Sequence, residues 1–358
     1  MVVSIIIFLL MFCLIVISHE FGHYIIGKKN GIHATEFFIG VGPKLFGWKR
    51  DETEFSVRLL PFGGACVFEG QDDLADSKDE SGDGTPAEPS EGSFLNAPVW
   101  GRFATTLAGP LMNVLLAYVC GVVLAATCGE IIPEIASVVE ESAAEEAGLQ
   151  VGDIITEING HNIHLSSEVS FMSYCSDGRA MSITVKRGDE EIEYTVHPKY
   201  DENDKRYYIG ITNGKYIDCT GLKSFQYGFY NVEYILRATL QSLKMFFTKQ
   251  AGLDDLSGPV GIVKVVDDTY DEAKSYGFLS VLLSMINITM LLSANLAVIN
   301  LLPIPAMDGG RLVFLLIEAI RGKPIPPEKE GYVHLAGMAL LLVLVVVVLF
   351  NDITKFFR

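Results

Sequence analysis

His19-Glu20-Phe21-Gly22-His23 is the run with the clearest chemical content. On a helix, a four-residue step stacks both imidazoles on one face, where neutral ring nitrogens can hold one Zn²⁺. Glu20, beside His19, then reaches a water on that metal. It can serve as general base towards a peptide carbonyl and later pass the proton to the leaving amine. The bare HExxH pattern also occurs on solvated helices that bind nothing. Here it lies inside an apolar stretch, where each ionisable residue costs roughly 2.5–3.5 kcal/mol at mid-bilayer. Three such residues in one short run need a metal or partners.

A catalytic zinc takes three protein ligands and keeps one position open. Asp308 is the leading third candidate. It closes the segment "NLLPIPAMDGG", in which Pro303 and Pro305 break the helix and Gly309-Gly310 loosen the chain beyond it. Irregular backbone at membrane depth is tolerated only where protein or a water-filled cavity surrounds it. The plain alternative for Asp308 is a helix-ending residue in an interfacial turn. Glu318 and His334 are rival third ligands.

The elements that must position these residues are mostly membrane spans. Apolar residues make up 49% of the chain and are clustered, so part of the length belongs to a bilayer. Residues 1–27 are read as the first span, 101–129 as the second, 275–310 as the third and 333–351 as the fourth. A signal peptide is the rival for the first run, but no basic residue precedes it and no small-residue cleavage site stands out after it. Residues 28–100 are expected to form a loop with a β-hairpin, Phe55, Val57 and Leu59 alternating before a turn at Pro61-Phe62-Gly63-Gly64. An acidic tract from Glu69 to Glu91 in this loop has little to bury and is expected to be disordered. Residues 133–200 read as a compact domain, 201–274 as a linker with an amphipathic helix, and 311–332 as a loop.

Basic residues next to the spans set the orientation. Lys28, Lys29, Arg102, Arg311, Arg321, Lys323 and Lys329 place the loops 28–100 and 311–332 in the cytoplasm, with both chain ends and the large polar segment outside. Lys355 and Arg358 weigh against this. By the same rule, His19, His23 and Asp308 share the cytoplasmic side of their spans, which brings three distant positions to one depth.

Acidic residues outnumber basic ones, 44 to 27, for a formal charge of -17, so no nucleic-acid partner is expected. The six cysteines show neither CxxC spacing nor the density of a disulfide scaffold and read as packing residues.

Taken together, these residues resemble the site-2 protease family, and within it the bacterial zinc metalloproteases of regulated intramembrane proteolysis related to the regulator-of-sigma-E protease. The resemblance covers nearly the whole chain: "HEFGH", "FFIGVGP", "LPFGG", "AGPLMN", "SGPVGI" and, most specifically, "NLAVINLLPIPAMDGGRL". It implies that His19, His23 and Asp308 bind zinc, that Glu20 is the base, and that Asn300 assists near the scissile peptide. A helix-breaking polar residue satisfied by backbone is the plain reading of Asn300. The segment "AAEEAGLQVGDIITEINGHNI" resembles the carboxyl half of the PDZ signature. One copy is visible where some relatives carry two, which points to a simpler substrate filter.

The fold expected is thus a multi-span α-helical membrane protein, about four helices in all, with a membrane-associated β-hairpin and an inserted extracytoplasmic α+β PDZ-like domain. The resemblance implies a cell-membrane endopeptidase that cuts the spans of single-span proteins, anti-sigma factors or leftover signal peptides, after a site-1 protease has shortened them. A β edge near the zinc would pair with the unwound substrate backbone. Two other classes compete: a non-catalytic scaffold presenting the PDZ-like domain, which would have no need of Glu20, and a transporter with a structural metal, of which no second, similar half is evident.

Overall fold

The computed structural model describes residues 1–70, 91–202, 206–248, 250, 252 and 258–356. In chain order the helices and strands are α1 (Val2–Lys29), β1 (Ala34–Arg50), β2 (Thr53–Phe68), α2 (Val99–Cys128), β3 (Glu130–Val138), α3 (Ala143–Ala147), β4 (Ile154–Ile158), β5 (His161–Asn162), α4 (Ser166–Cys175), β6 (Met181–Arg187), β7 (Glu190–Val196), β8 (Lys199–Asp201), β9 (Arg206–Tyr208) and β10 (Ile211–Ile217). Then follow α5 (Leu222–Phe247), α6 (Pro259–Ala273), α7 (Phe278–Leu301), α8 (Asp308–Arg321) and α9 (Pro327–Phe356). The chain divides into two compact units, one from residues 1–117 with 239–358 and one from 118–238.

The first unit is built on helices. Among the described residues four helices, α1, α2, α7 and the stretch Lys329–Thr354 of α9, are long and apolar enough to cross a bilayer, and the chain is a helical membrane protein. Leu10, Leu14, Leu340 and Val346 point outwards, as lipid-facing residues do. Buried contacts run between α1, α6 and α7, where Phe8 and Met11 meet Val266, Met285 and Ile288. Small residues bring α1 and α2 together: an added Cβ on Gly22 would stand 2.4 Å from the Ala108 carbonyl oxygen. The N-terminus of α6 is capped by the last span, since the Asp352 carboxylate accepts from the N–H groups of Gly258 (3.1 Å) and Gly261 (2.9 Å).

Asp308–Arg321 is a helix, where a loop over 311–332 was expected. Its fourteen residues are too few to span, but Leu312 and Leu315 are buried one turn apart, and Gly322 at φ 68 ends it. The Arg102 guanidinium on α2 forms a two-pronged ion pair with the Glu318 carboxylate. That pair fixes the direction in which α8 leaves Asp308.

Strands β1 and β2 turn at Asp51-Glu52, with Asp51 at φ 54, and not at Pro61-Gly64. Residues 36–39 pair twice: Phe37 lies opposite both Phe55 and Cys66, and Phe38 opposite both Ser56 and Ala65. Between these pairings β2 crosses from one side of β1 to the other. Gly63 at φ 82 and Gly64, where an added Cβ would lie 2.8 Å from the Phe38 carbonyl oxygen, permit the crossing. The turn residues thus mark a crossover within one strand. Gly64–Phe68 becomes an outer strand whose far edge faces α1. The acidic tract from Glu69 to Glu91 lies almost wholly outside the described residues.

The second unit holds a sheet in the order β10-β3-β4-β6-β7, with β5 paired to β4. Period-two alternation on β6 and a register shift between Ile155 and Glu157 on β4 give it one apolar face: Met181, Ile183 and Val185, with Ile155 and Ile158, are fully buried against Ala144, Leu149 and Val169 from the α3 and α4 region. Asn159 and Gly160, both at positive φ, make the two-residue turn between β4 and β5. The sheet begins at Glu130 and takes its edge strand from Ile211–Ile217, outside the expected limits of 133–200. Residues 201–217 fall in the expected linker because short strands there show no apolar period, yet Ile209 is buried in the core.

Candidate metal centre

His19 and His23 sit one turn apart on α1 and are buried, their Nε2 atoms 3.2 Å from each other. Asp308, the first residue of α8, brings its Oδ2 within 3.1 Å of His19 Nε2 and 3.5 Å of His23 Nε2. The three donor atoms all lie within 4.8 Å of one another. The first helix and a helix almost three hundred residues later therefore meet at one point.

The donor set fits a cation. The Thr105 carbonyl lies 2.9 Å from His23 Nδ1 and can only accept, so that nitrogen carries the ring proton and Nε2 presents a lone pair. The Asn113 side-chain amide lies 3.3 Å from His19 Nδ1 and is fully buried. With His19 Nε2 turned to a metal, Nδ1 also carries its proton and needs an acceptor. The Asn113 carbonyl oxygen, buried without a hydrogen-bond partner, supplies one when the amide is turned towards the ring. Asp308 Oδ2 is likewise buried without a hydrogen bond, although two ring nitrogens are close. Two lone pairs and a carboxylate oxygen converge on one point, a donor set that would suit a zinc ion.

Glu20 lines the same cavity of about 210 Å³ as His19, His23 and Asp308. Its Oε2 accepts from the Cys66 backbone N–H at 2.9 Å, so the outer strand Gly64–Phe68 holds the carboxylate beside the cluster. Burial, and then the nearby Glu20 charge, push the Cys66 thiol well above its usual range. Gly109 makes room for the imidazoles, because an added Cβ there would stand 2.3 Å from His23 Nε2 and 2.8 Å from His19 Cε1.

Asn300 is half-buried in the last turn of α7 and is not among the residues lining that cavity. Glu318 is committed to Arg102, and His334 accepts the Ala306 N–H at 2.8 Å, so neither rival ligand reaches the cluster. Asn113 and Gly109 escaped the reading of the sequence as site residues, though both lie in the "AGPLMN" run. An amide within an otherwise apolar span was the available signal.

Four helices long and apolar enough to span, and a cluster of two buried histidines and an aspartate with a glutamate in the same cavity, are the features of a membrane zinc metalloprotease. The profile of peptidase family M50 matches residues 7–344, and the chain belongs to this family, the site-2 proteases. It is similar to the regulator of sigma-W protease RasP of Bacillus subtilis, 32% identical over 426 residues and covering 99% of each chain. Zinc metalloprotease RasP of Shouchella clausii is 33% identical over 423 residues, covering 98% of each chain. Among solved structures, the PDZ domain of an SdrC-like protein from Listeria monocytogenes is 26% identical, with a TM-score of 0.21, covering 24% of this chain and 86% of that one.

Proposed function

We propose that this metalloprotease is an intramembrane endopeptidase that cuts the transmembrane segments of single-span membrane proteins already shortened by another protease. The observation that carries the reading is the meeting of the buried His19 and His23 of the first spanning helix with Asp308 at the start of α8, with Glu20 in the same cavity. Anti-sigma factors and leftover signal peptides are the two substrate classes in view. The chain's similarity to a regulator of sigma-W protease of Bacillus subtilis favours the first.

His19, His23 and Asp308 would hold the zinc. When bound, the zinc supplies a Lewis acid that brings the pKa of a water towards neutrality and polarises the scissile carbonyl. Glu20 is the base: it takes the water proton and returns it to the leaving amine. Its tie to the Cys66 N–H keeps one carboxylate oxygen fixed while the other is free to exchange protons. Asn300, in the last turn before the Asp308 segment, is assigned a supporting contact to the substrate peptide.

A helical substrate hides its peptide bonds in its own hydrogen bonds, so it must unwind before cleavage, and the freed groups need partners. The far edge of Gly64–Phe68 offers backbone groups next to the cavity, as in β-strand addition. The exposed apolar residues Leu45, Phe46, Trp48, Leu59 and Leu60 on β1 and β2 support contact of this element with the bilayer. We assign the cluster to the cytoplasmic side of the cell membrane and the 118–238 unit, with its PDZ-like sheet, to the outer side, where it would exclude bulky ectodomains.

The test is cleavage of a truncated single-span substrate by the purified full-length protein, for wild type, Glu20→Gln and Asp308→Asn, with zinc measured in each. Wild type should cut, Glu20→Gln should keep zinc without cutting, and Asp308→Asn should lose both. Cutting by Glu20→Gln at the wild-type rate would sink the assigned mechanism. A wild type that neither holds zinc nor cuts would favour a non-catalytic scaffold.

A further inference from the structure

The segment that delivers Asp308 has the least regular backbone around the cluster. Between the end of α7 at Leu301 and the start of α8 at Asp308 lie Pro303 and Pro305, which have no N–H, and Ala306, which stands at φ 75. That left-handed value disfavours any residue with a Cβ, and no glycine relieves it here. The turn Ile304-Pro305-Ala306-Met307, closed by the Met307 N–H on the Ile304 carbonyl, accommodates that value locally, and a further contact from outside the segment holds the turn in place.

The holder is on the last span. The Ala306 N–H donates to His334 Nδ1 at 2.8 Å. Gly337, three residues on and hence on the same face of α9, lies so close to the segment that an added Cβ would stand 2.5 Å from both Cβ and the carbonyl oxygen of Pro305. The His334 ring is flanked by Phe314 of α8, with ring centroids 5.6 Å apart. Since Nδ1 accepts, the ring proton sits on Nε2, which is buried and has no hydrogen-bond partner, the Glu330 carboxylate standing 3.6 Å away. The acceptor role alone therefore accounts for the ring's contact with the segment.

We propose that His334 is a positioning residue for the metal centre: by accepting the Ala306 N–H it fixes the left-handed residue two places before Asp308 and so aims the carboxylate at His19 and His23. Ala306 is exposed, so what the ring supplies is a fixed partner and direction for its N–H; a segment whose N–H turned to another partner would re-form and carry Asp308 with it. Met307, between Ala306 and Asp308, donates its own N–H to the Ile304 carbonyl at 3.2 Å, which makes the segment a short closed turn that moves as one piece. The inference rests on Asp308 being the third ligand.

The experiment uses the full-length protein loaded with Co²⁺ in place of zinc, whose visible spectrum reports ligand number and geometry, together with competition by a chelator. The variants are His334→Ala, His334→Asn, His334→Gln and Asp308→Asn. Asparagine places an acceptor near the Nδ1 position, whereas glutamine places its amide further out. His334→Ala and His334→Gln should alter the cobalt bands and weaken metal binding about 10–100-fold, as loss of an outer partner does, while His334→Asn should recover most of both. Adding Ala306→Gly to His334→Gln should also recover binding, because glycine holds the left-handed conformation unaided. Wild-type spectra and affinity in all three His334 variants would overturn the proposal, as would equal impairment in all three without recovery by Ala306→Gly. If His334→Ala fails to fold, the asparagine and glutamine pair decides alone. Asp308→Asn separates the two layers: unchanged cobalt bands in that variant would mean that the metal-centre assignment itself has failed.

Discussion

Gly109 of the second span faces His23 of the first so closely that a single added carbon would lie 2.3 Å from the imidazole Nε2. The ring nitrogen concerned is the one that points to Asp308. Gly109→Ala should therefore push the imidazole off its position and lower zinc affinity by about 10–100-fold or more, the range for lost support of a ligand. Zinc content after dialysis against a chelator checks it. An alanine variant that keeps full zinc would mean that the first two spans are further apart than described.

Asn113 tests the support of the other histidine. Asn113→Ala removes the acceptor for His19 Nδ1–H and should weaken zinc binding about 10–100-fold, with the Co²⁺ spectrum changed but the fold intact. Asn113→Asp keeps an acceptor and should bind zinc more tightly than the alanine variant.

Arg102 and Glu318 make a partly desolvated pair whose side chains are 9% and 15% exposed, so loss of one partner strands a charge. Arg102→Met should destabilise the protein by about 3–5 kcal/mol, and the double change with Glu318→Leu should recover most of that. Thermal inactivation in detergent gives the ranking. Equal losses in single and double variants would show that the two charges act separately.

In the second unit, Asp153 is buried and accepts from Arg187 Nε and Nη2, each at 2.7 Å, and from Gln150 N at 2.9 Å. Burial pushes its carboxyl up, but the Arg187 and Gln150 hydrogen bonds outweigh this and hold it below the usual carboxylate range. A carboxyl depressed by folding contributes stability above its unfolded pKa, about 3.9, and the contribution disappears as pH falls through the lower folded value. Protection of the amides of Ile154–Ile158 and Met181–Arg187, taken relative to their intrinsic exchange rate at each pH, should therefore fall as the pH is lowered below about 4. Asp153→Asn should exchange faster than wild type at neutral pH and change less on acidification.

The chemistry and the spans could be read from the chain because both signals are local. HExxH is a helical spacing, and spans are long apolar runs, so His19, Glu20, His23 and the four candidate helices needed no tertiary information. Asp308 was accessible through a second local signal, a proline-broken helix end that depth placed beside the histidines. Residues 201–217, expected as linker, and 311–321, expected as loop, differ for the opposite reason: short strands and a short helix carry weak periods, and only the sheet of the second unit and the Arg102–Glu318 pair reveal their places.

What tertiary structure decided is which groups touch. Helix spacing brings His19 and His23 together, but the distance to Asp308 depends on how the first span meets the eighth helix, and that depends on Gly22, Gly109 and the segment held by His334. The crossing of β2 over β1, which turns Cys66 N–H to Glu20, follows from double pairing of residues 36–39 that no residue pattern within either strand records. Residue type and spacing determine the chemistry available. The close approaches that bring it to one point are sums of long-range contacts, each too weak a signal by itself to be seen along the chain.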